Sequence, residues 1–143
     1  MDLPKKSPSA SGSTPPPKRT GWLRALFALK HSFDGLHATW QSESAFRQEC
    51  VLAIVLIPAA CILDVSPFER VMLIGSVLLV LLVELLNSAI EAVVDRISLD
   101  RHELSRHAKD CGSAAVLLSL VICATTWVTL VWPLVKHWIH PHG

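Results

Sequence analysis

The sequence predicts an all-α membrane protein: an N-terminal amphipathic surface helix followed by three transmembrane helices. Three observations carry that class. Hydrophobic residues make up 51% of the 143 and charged residues only 17%, with a mean hydropathy of +0.43. A disordered chain, a coiled coil or a soluble nucleic-acid binder each needs more charge. The apolar residues are gathered into three runs rather than scattered, and ahead of the first run lies a stripe of large apolar side chains at helical spacing. A net charge of +1 gives no overall field to draw a polyanion, so no nucleic-acid partner is expected.

Residues 1–20 hold five prolines, four serines and four basic residues. They contain no apolar run, so they are not a secretory signal, and they are expected to be a disordered basic tail. Residues 21–135 form the membrane domain, and 136–143 a short polar tail.

Within the domain, 21–40 reads as the surface helix. Trp22, Leu26, Leu29, Phe33, Leu36 and Trp40 recur at steps of three and four, with Arg24, Lys30, His31, Asp34 and His37 elsewhere on the wheel. A stripe with Trp at both ends and basic residues beside it suits a helix lying in a membrane interface. The first span is placed at about 44–63. Its uncharged core, Cys50–Leu63, is 14 residues, short of the roughly 20 that hydrocarbon needs, so Ser44, Ala45 and Phe46 extend it backwards. Pro58 is tolerated where neighbours satisfy the freed carbonyl.

Asp64–Arg70 reads as a polar turn. The second span, about 70–94, begins with the wholly apolar Val71–Val83 and continues through Glu84, Asn87 and Glu91 to Asp95. Asp95–Asp110 is expected to be a polar loop. The third span, 111–135, is 25 residues without a formal charge, with Trp127, Trp132 and Trp138 toward its far end as interfacial anchors. Lys and Arg number seven in 1–47, one in the first loop, four in the second and one after the last span. Positive segments stay inside, so the N-terminus and second loop are predicted cytoplasmic, with the C-terminus on the far side. The four cysteines all lie in or beside apolar runs without a C-x-x-C pair, and read as small buried hydrophobes.

Chemistry concentrates at the end of the second span. Glu84, Asn87 and Glu91 stand at i, i+3 and i+7, on one helical face, and Asp95 continues the stripe. At 1.5 Å per residue Glu84 lies about 20 Å from the start of the span and Glu91 about 30 Å. A carboxylate at the depth of Glu84 costs a few kcal/mol or more unless paired or protonated, and a carboxyl held there suits general-base work. Interfacial Glu91, Asp95 and Glu43 suit Mg²⁺, which takes hard oxygen ligands and arrives with phosphates. Two other readings of the stripe stand beside this one: hydrogen-bonding glue between helices, and a proton-linked pathway. The loop residues Asp100, Arg101, His102, Glu103, Arg106, His107, Lys109 and Asp110 fit either a polyphosphate site or a solvated positive-inside loop. No glycine-rich phosphate loop is present, so a nucleotide would be held by side chains and metal.

These residues resemble the small prokaryotic integral-membrane diacylglycerol kinase family, from about residue 21 to 132. The blocks that carry the resemblance are Glu43-Ser-Ala-Phe-Arg-Gln-Glu49, then Val83-Glu-Leu-Leu-Asn-Ser-Ala-Ile-Glu-Ala-Val-Val-Asp-Arg96, then Glu103-Leu-Ser, Ala108-Lys-Asp110 and Gly112-Ser-Ala-Ala-Val116. The resemblance implies a homotrimer in the bacterial inner membrane that transfers the γ-phosphate of MgATP to diacylglycerol. It implies Glu84 as general base, Glu43 and Glu91 as metal-bridging carboxylates, and Asn87 and Asp95 in support. Nucleotide contacts would fall on Arg24, His31, Glu43, Glu91, Asp100, Arg101, His102, Lys109 and Asp110. Lipid contacts would fall on Ala28, Ser32, Phe33, Trp40, Ala45, Phe46, Gln48, Glu49, Arg70, Glu84, Ser113 and Trp127. His31 stands where a tyrosine is common in the family and Phe33 where a tryptophan is. An undecaprenol kinase of the same family and a small proton-coupled transporter are the alternatives; ATP-dependent labelling of lipid separates them.

Overall fold

The computed structural model describes residues 21–98, 100 and 102–139. The tail at 1–20 and residues 140–143 lie outside the described residues. Among the described residues all four elements are helices: α1 Trp22–Ser42, α2 Ser44–Ile62, α3 Pro67–Ile97 and α4 Glu103–Ile139. The last three are long and apolar enough to cross a membrane.

The chain divides into two compact units after Phe33. In the first, Gly21 takes a left-handed φ of 81°, a conformation that favours a residue without Cβ, and its carbonyl accepts from the Arg24 amide at 3.1 Å. Trp22, Leu26, Leu29 and Phe33 on this part of α1 are all exposed.

In the second unit, the corner between α1 and α2 is closed by Arg47. Its guanidinium donates to the carbonyls of Trp40 at 3.0 Å and Gln41 at 3.2 Å, two of the acceptors that a helix C-terminus leaves unpaired. At the other end of α2, Arg70 donates to the carbonyl of Ala60 in the last turn and to that of Leu63 just past the helix, each at 3.2 Å. Ser66 and Glu69 form a reciprocal capping box at the start of α3, with Pro67 as its first residue. The segment read as a polar turn therefore includes the first turn of α3.

α3 packs against both α2 and α4. Leu73, Val77, Val80, Glu84 and Asn87 are buried along it at alternating steps of four and three. That period keeps one seam turned toward neighbouring helices. α2 answers with Phe46, Ala53 and Ala60 at intervals of seven, and α4 with Gly112, Ser119 and Cys123. The core joins Ala53, Val77, Val80 and Cys123, with Trp127 packed on it. Lipid offers no hydrophobic drive between apolar helices, so close packing at such small residues holds them. The outward side chains, Ile54, Ile62 and Leu118 among them, are left exposed.

Two expectations are corrected. Most of 95–110, read as a loop, is helical: α3 runs on to Ile97 and α4 begins at Glu103. Nothing in that stretch is Gly or Pro, and a helix need not stop where hydrocarbon does. At 1.5 Å per residue the 31 residues of α3 span about 46 Å against about 30 Å of hydrocarbon. Of the four cysteines only Cys123 is buried, while Cys61 and Cys111 are exposed and all four are free.

Candidate active site

The register that buries Leu73, Val77 and Val80 also carries Glu84 inward, so the residue is only 3% exposed. Among the described residues it has no hydrogen bond or ion pair; its electrostatic neighbours are the carboxylates of Glu43, Glu91 and Glu49. One turn further, Asn87 is buried, and its Nδ2 donates to Glu91 Oε1 at 3.2 Å. Asn87 Oδ1, Ser88 Oγ and Glu49 Oε2 are buried without partners. Such atoms are rare in folded chains and call for a ligand or water.

Glu43 joins α1 to α2. It occupies the N-cap position of α2 with extended backbone (φ −106°, ψ 118°), but its side chain makes no cap bond, which leaves the carboxylate to the site. Glu43, Ser88, Glu91 and Asp95 line one cavity of about 450 Å³, closed on another side by Gly35 and Thr39. A second cavity of about 550 Å³ is lined by Asp95, Asp100, His102, Arg106, Lys109 and Asp110. Asp95 belongs to both, so the carboxylate chamber and the basic chamber share a wall. Both volumes lie in the range that takes small ligands.

Lys109 Nζ reaches Asp95 Oδ1 at 2.6 Å across α4 and α3, and its charge also acts on Glu91. Arg106 and Asp110 pair more loosely at 3.7 Å on the exposed face of α4. His102 caps α4: its Nδ1 accepts from the Leu104 amide at 3.2 Å, which puts the proton on Nε2.

The acidic stripe is thus brought together with Glu43, Glu49 and Lys109 in one region. Trp40 and Gln48 are exposed near the α1–α2 corner, as is Ala45, whereas Phe46 is buried between helices at 3% exposure. Ser113 is exposed beside Gly112 on α4. Arg70 and Trp127 lie elsewhere. Arg70 is 14 residues before Glu84, about 21 Å along α3, and its guanidinium is engaged by α2 carbonyls. Trp127 packs on the core, with Nε1 buried and unpartnered. In the first unit Arg24, Ala28, His31, Ser32 and Phe33 are exposed on α1, with Ser32 Oγ donating to the Ala28 carbonyl at 3.0 Å. Arg101 lies outside the described residues.

Three features were not anticipated from the sequence. Arg47 closes the corner that carries Glu43; a base in a helix's first turn runs against the helix dipole, and that anomaly was a signal. Asp95 and Lys109 were each singled out but not as a pair. Gly112 meets α3 at Asn87, and the small residues 112–115 at the head of an apolar run were the legible sign of a close crossing.

The family model for prokaryotic diacylglycerol kinase matches residues 30–131. The chain belongs to the prokaryotic diacylglycerol kinase family. The diacylglycerol kinase of Escherichia coli (strain K12) is 53% identical over 113 residues, covering 79% of this chain and 93% of the relative. That of Pseudomonas aeruginosa is 52% identical over 113 residues, with 79% and 92% covered. The Helicobacter pylori (strain J99) enzyme is 41% identical over 112 residues, with 78% and 88% covered. The family match takes in every candidate from Lys30 onward, including His31, Glu43, Glu84, Glu91 and Lys109. Arg24 and Ala28 precede it.

Proposed function

We propose that this chain transfers the γ-phosphate of ATP to the hydroxyl of diacylglycerol, giving phosphatidic acid, with Glu84 as the general base. The observation that carries the reading is Glu84, buried and without a hydrogen bond or ion pair among the described residues, next in the chain to Leu85, which lines a cavity walled by Glu43, Ser88 and Glu91. Family membership supplies the substrate class.

The lipid hydroxyl gives its proton to a Glu84 oxygen as its own oxygen attacks the γ-phosphorus. The O–P bond forms while the bond to the β-phosphate oxygen breaks, and ADP leaves. Phosphoryl transfer rests on positioning and charge stabilisation rather than covalent chemistry by the protein. Glu43 and Glu91 suit the Mg²⁺ that ATP brings: two carboxylates facing one cavity, neither in an ion pair among the described residues, are what that ion takes from protein when phosphates complete its shell. When bound, it neutralises phosphate charge. Asn87 steadies Glu91, and Asp95 holds Lys109 at the wall between the chambers. Lys109, Asp110, Asp100, His102 and Arg101 hold the nucleotide.

The lipid approaches Glu84 from the bilayer past Glu49, Gln48, Ala45 and Ser113, with Phe46 as a packed wall. Trp40 seats it at the interface. The basic residues of 1–47 and of the α3–α4 connection support a cytoplasmic site, a cytoplasmic N-terminus and a periplasmic C-terminus in a bacterial inner membrane. A homotrimer would cover outward apolar faces and complete each site from a neighbour.

The test is phosphate transfer from labelled ATP to dioleoylglycerol in mixed micelles, with undecaprenol in parallel and Glu84→Gln as control. Label in phosphatidic acid, lost in the variant, is expected. Label confined to undecaprenol overturns the substrate, and no label in either lipid from folded protein overturns the kinase reading.

A further inference from the structure

Among the four glycines of the described residues, Gly112 alone faces another helix at contact distance. A Cβ built on it would overlap Asn87 Oδ1 and lie 3.3 Å from Asn87 Cγ, yet only touch the α3 backbone, at 3.8 Å from Asn87 Cα. The helices therefore have room for a methyl group; the Asn87 amide does not. That amide has a fixed orientation. Nδ2 faces Glu91 and donates to its Oε1 at 3.2 Å, while Oδ1 faces Gly112. Oδ1 is buried without a hydrogen-bond partner, so no donor on the Gly112 side holds the amide in this rotamer. What holds it is the bond to Glu91 and the space left by the missing side chain.

We propose that Gly112 is a positioning residue for Glu91: by lacking a side chain it leaves α4 a pocket for the Asn87 amide, which in turn aims the Glu91 carboxylate. The proposal rests on the reading of Glu91 as a magnesium carboxylate. A turn away on the same helix, Lys109 meets Asp95, so α4 fixes α3 on both sides of Glu91, at Asn87 before it and at Asp95 after it. A methyl group at 112 would swing the amide away and break its bond to Glu91, with the helix crossing itself kept.

Asn87 is the only asparagine in the chain, so protein labelled with ¹⁵N in the asparagine side chain gives one NH₂ pair that needs no assignment. In Gly112→Ala the pair is expected to move toward its position in Glu91→Gln, where the ionised acceptor is gone. The Mg²⁺ concentration for half-maximal phosphate transfer is expected to rise about tenfold or more, as when a group orienting a metal ligand is lost, with the rate at saturating Mg²⁺ far less affected. In an Asn87→Ala background, Gly112→Ala is expected to add nothing to Mg²⁺ requirement or melting temperature. If Gly112→Ala alone fails to fold, Asn87→Ala/Gly112→Ala is expected to fold. An unmoved NH₂ pair overturns the proposal, as does a Gly112→Ala effect that persists without the Asn87 side chain. A wild-type protein without kinase activity would fail the functional reading instead, since the NH₂ signal is read with no substrate present.

Discussion

Lys109 on α4 and Asp95 on α3 form an ion pair with Nζ 2.6 Å from Oδ1, at the wall common to the two chambers of the site. Both side chains remain partly exposed, at 36% and 49%, and an exposed pair contributes little to stability. Lys109→Met should therefore melt close to wild type. Its KM for ATP should rise about 10- to 100-fold, the loss of a charge-assisted contact to phosphate. Thermal unfolding in micelles and ATP titration of the rate check both halves. A large fall in melting temperature with unchanged KM would make the pair structural.

Glu84→Gln keeps shape and burial while removing the proton acceptor. Turnover should fall by about 10²- to 10⁴-fold, the usual contribution of general-base catalysis. The Mg²⁺ concentration for half-maximal rate should stay at the wild-type value. Steady-state rates across a Mg²⁺ series give both numbers, and near-wild-type turnover would remove Glu84 from the mechanism.

Glu43→Gln and Glu91→Gln should differ from it in kind. Each should raise the Mg²⁺ requirement by about tenfold or more, and added Mg²⁺ should restore part of the rate. Added Mg²⁺ should restore nothing to Glu84→Gln. The same Mg²⁺ series reads all three variants, and an unchanged requirement in Glu91→Gln would move the metal to another pair.

From the first turn of α3, Arg70 holds the Ala60 carbonyl of α2 and the Leu63 carbonyl just past it. Arg70→Ala should lower the melting temperature and leave the KM for diacylglycerol unchanged. A raised lipid KM at unchanged stability would instead make Arg70 a lipid contact.

Leu73 is fully buried between helices at 0% exposure. Leu73→Ala should cost about 2–5 kcal/mol, the range for a buried leucine cut to alanine. Specific activity of the folded fraction should be kept, because Leu73 lies eleven residues from Glu84. Reversible unfolding in mixed detergent measures the first and micellar turnover the second.

The three long helices were legible because their apolar runs are uninterrupted, and the Glu84, Asn87, Glu91 stripe because helical spacing is a matter of counting. Where polar helix continues past the apolar run, as from Asp95 to Ile97 and from Glu103 to Asp110, hydropathy marks the end of the hydrocarbon and not of the helix. Contacts between elements were beyond reach for another reason. That Lys109 meets Asp95, that Gly112 meets Asn87, and that Phe46 is packed inward depend on how helices distant in sequence are turned toward each other. Periodicity fixes the face of one helix; it does not say which residue stands opposite.

The capping box at Ser66 and Glu69 has a reach beyond the turn it closes. Glu84 is 18 residues after Ser66, which at 3.6 residues per turn is about five complete turns. The cap thus acts as the zero mark of a ruler, and α3 translates that mark into both the depth and the azimuth of the base. A single residue inserted anywhere between the two would turn Glu84 by about 100° and shift it by about 1.5 Å, carrying every later acid with it. Substitutions on the outer face of α3 leave this calibration untouched, so length between Ser66 and Glu84 should be held far more strictly than the identity of the residues that fill it.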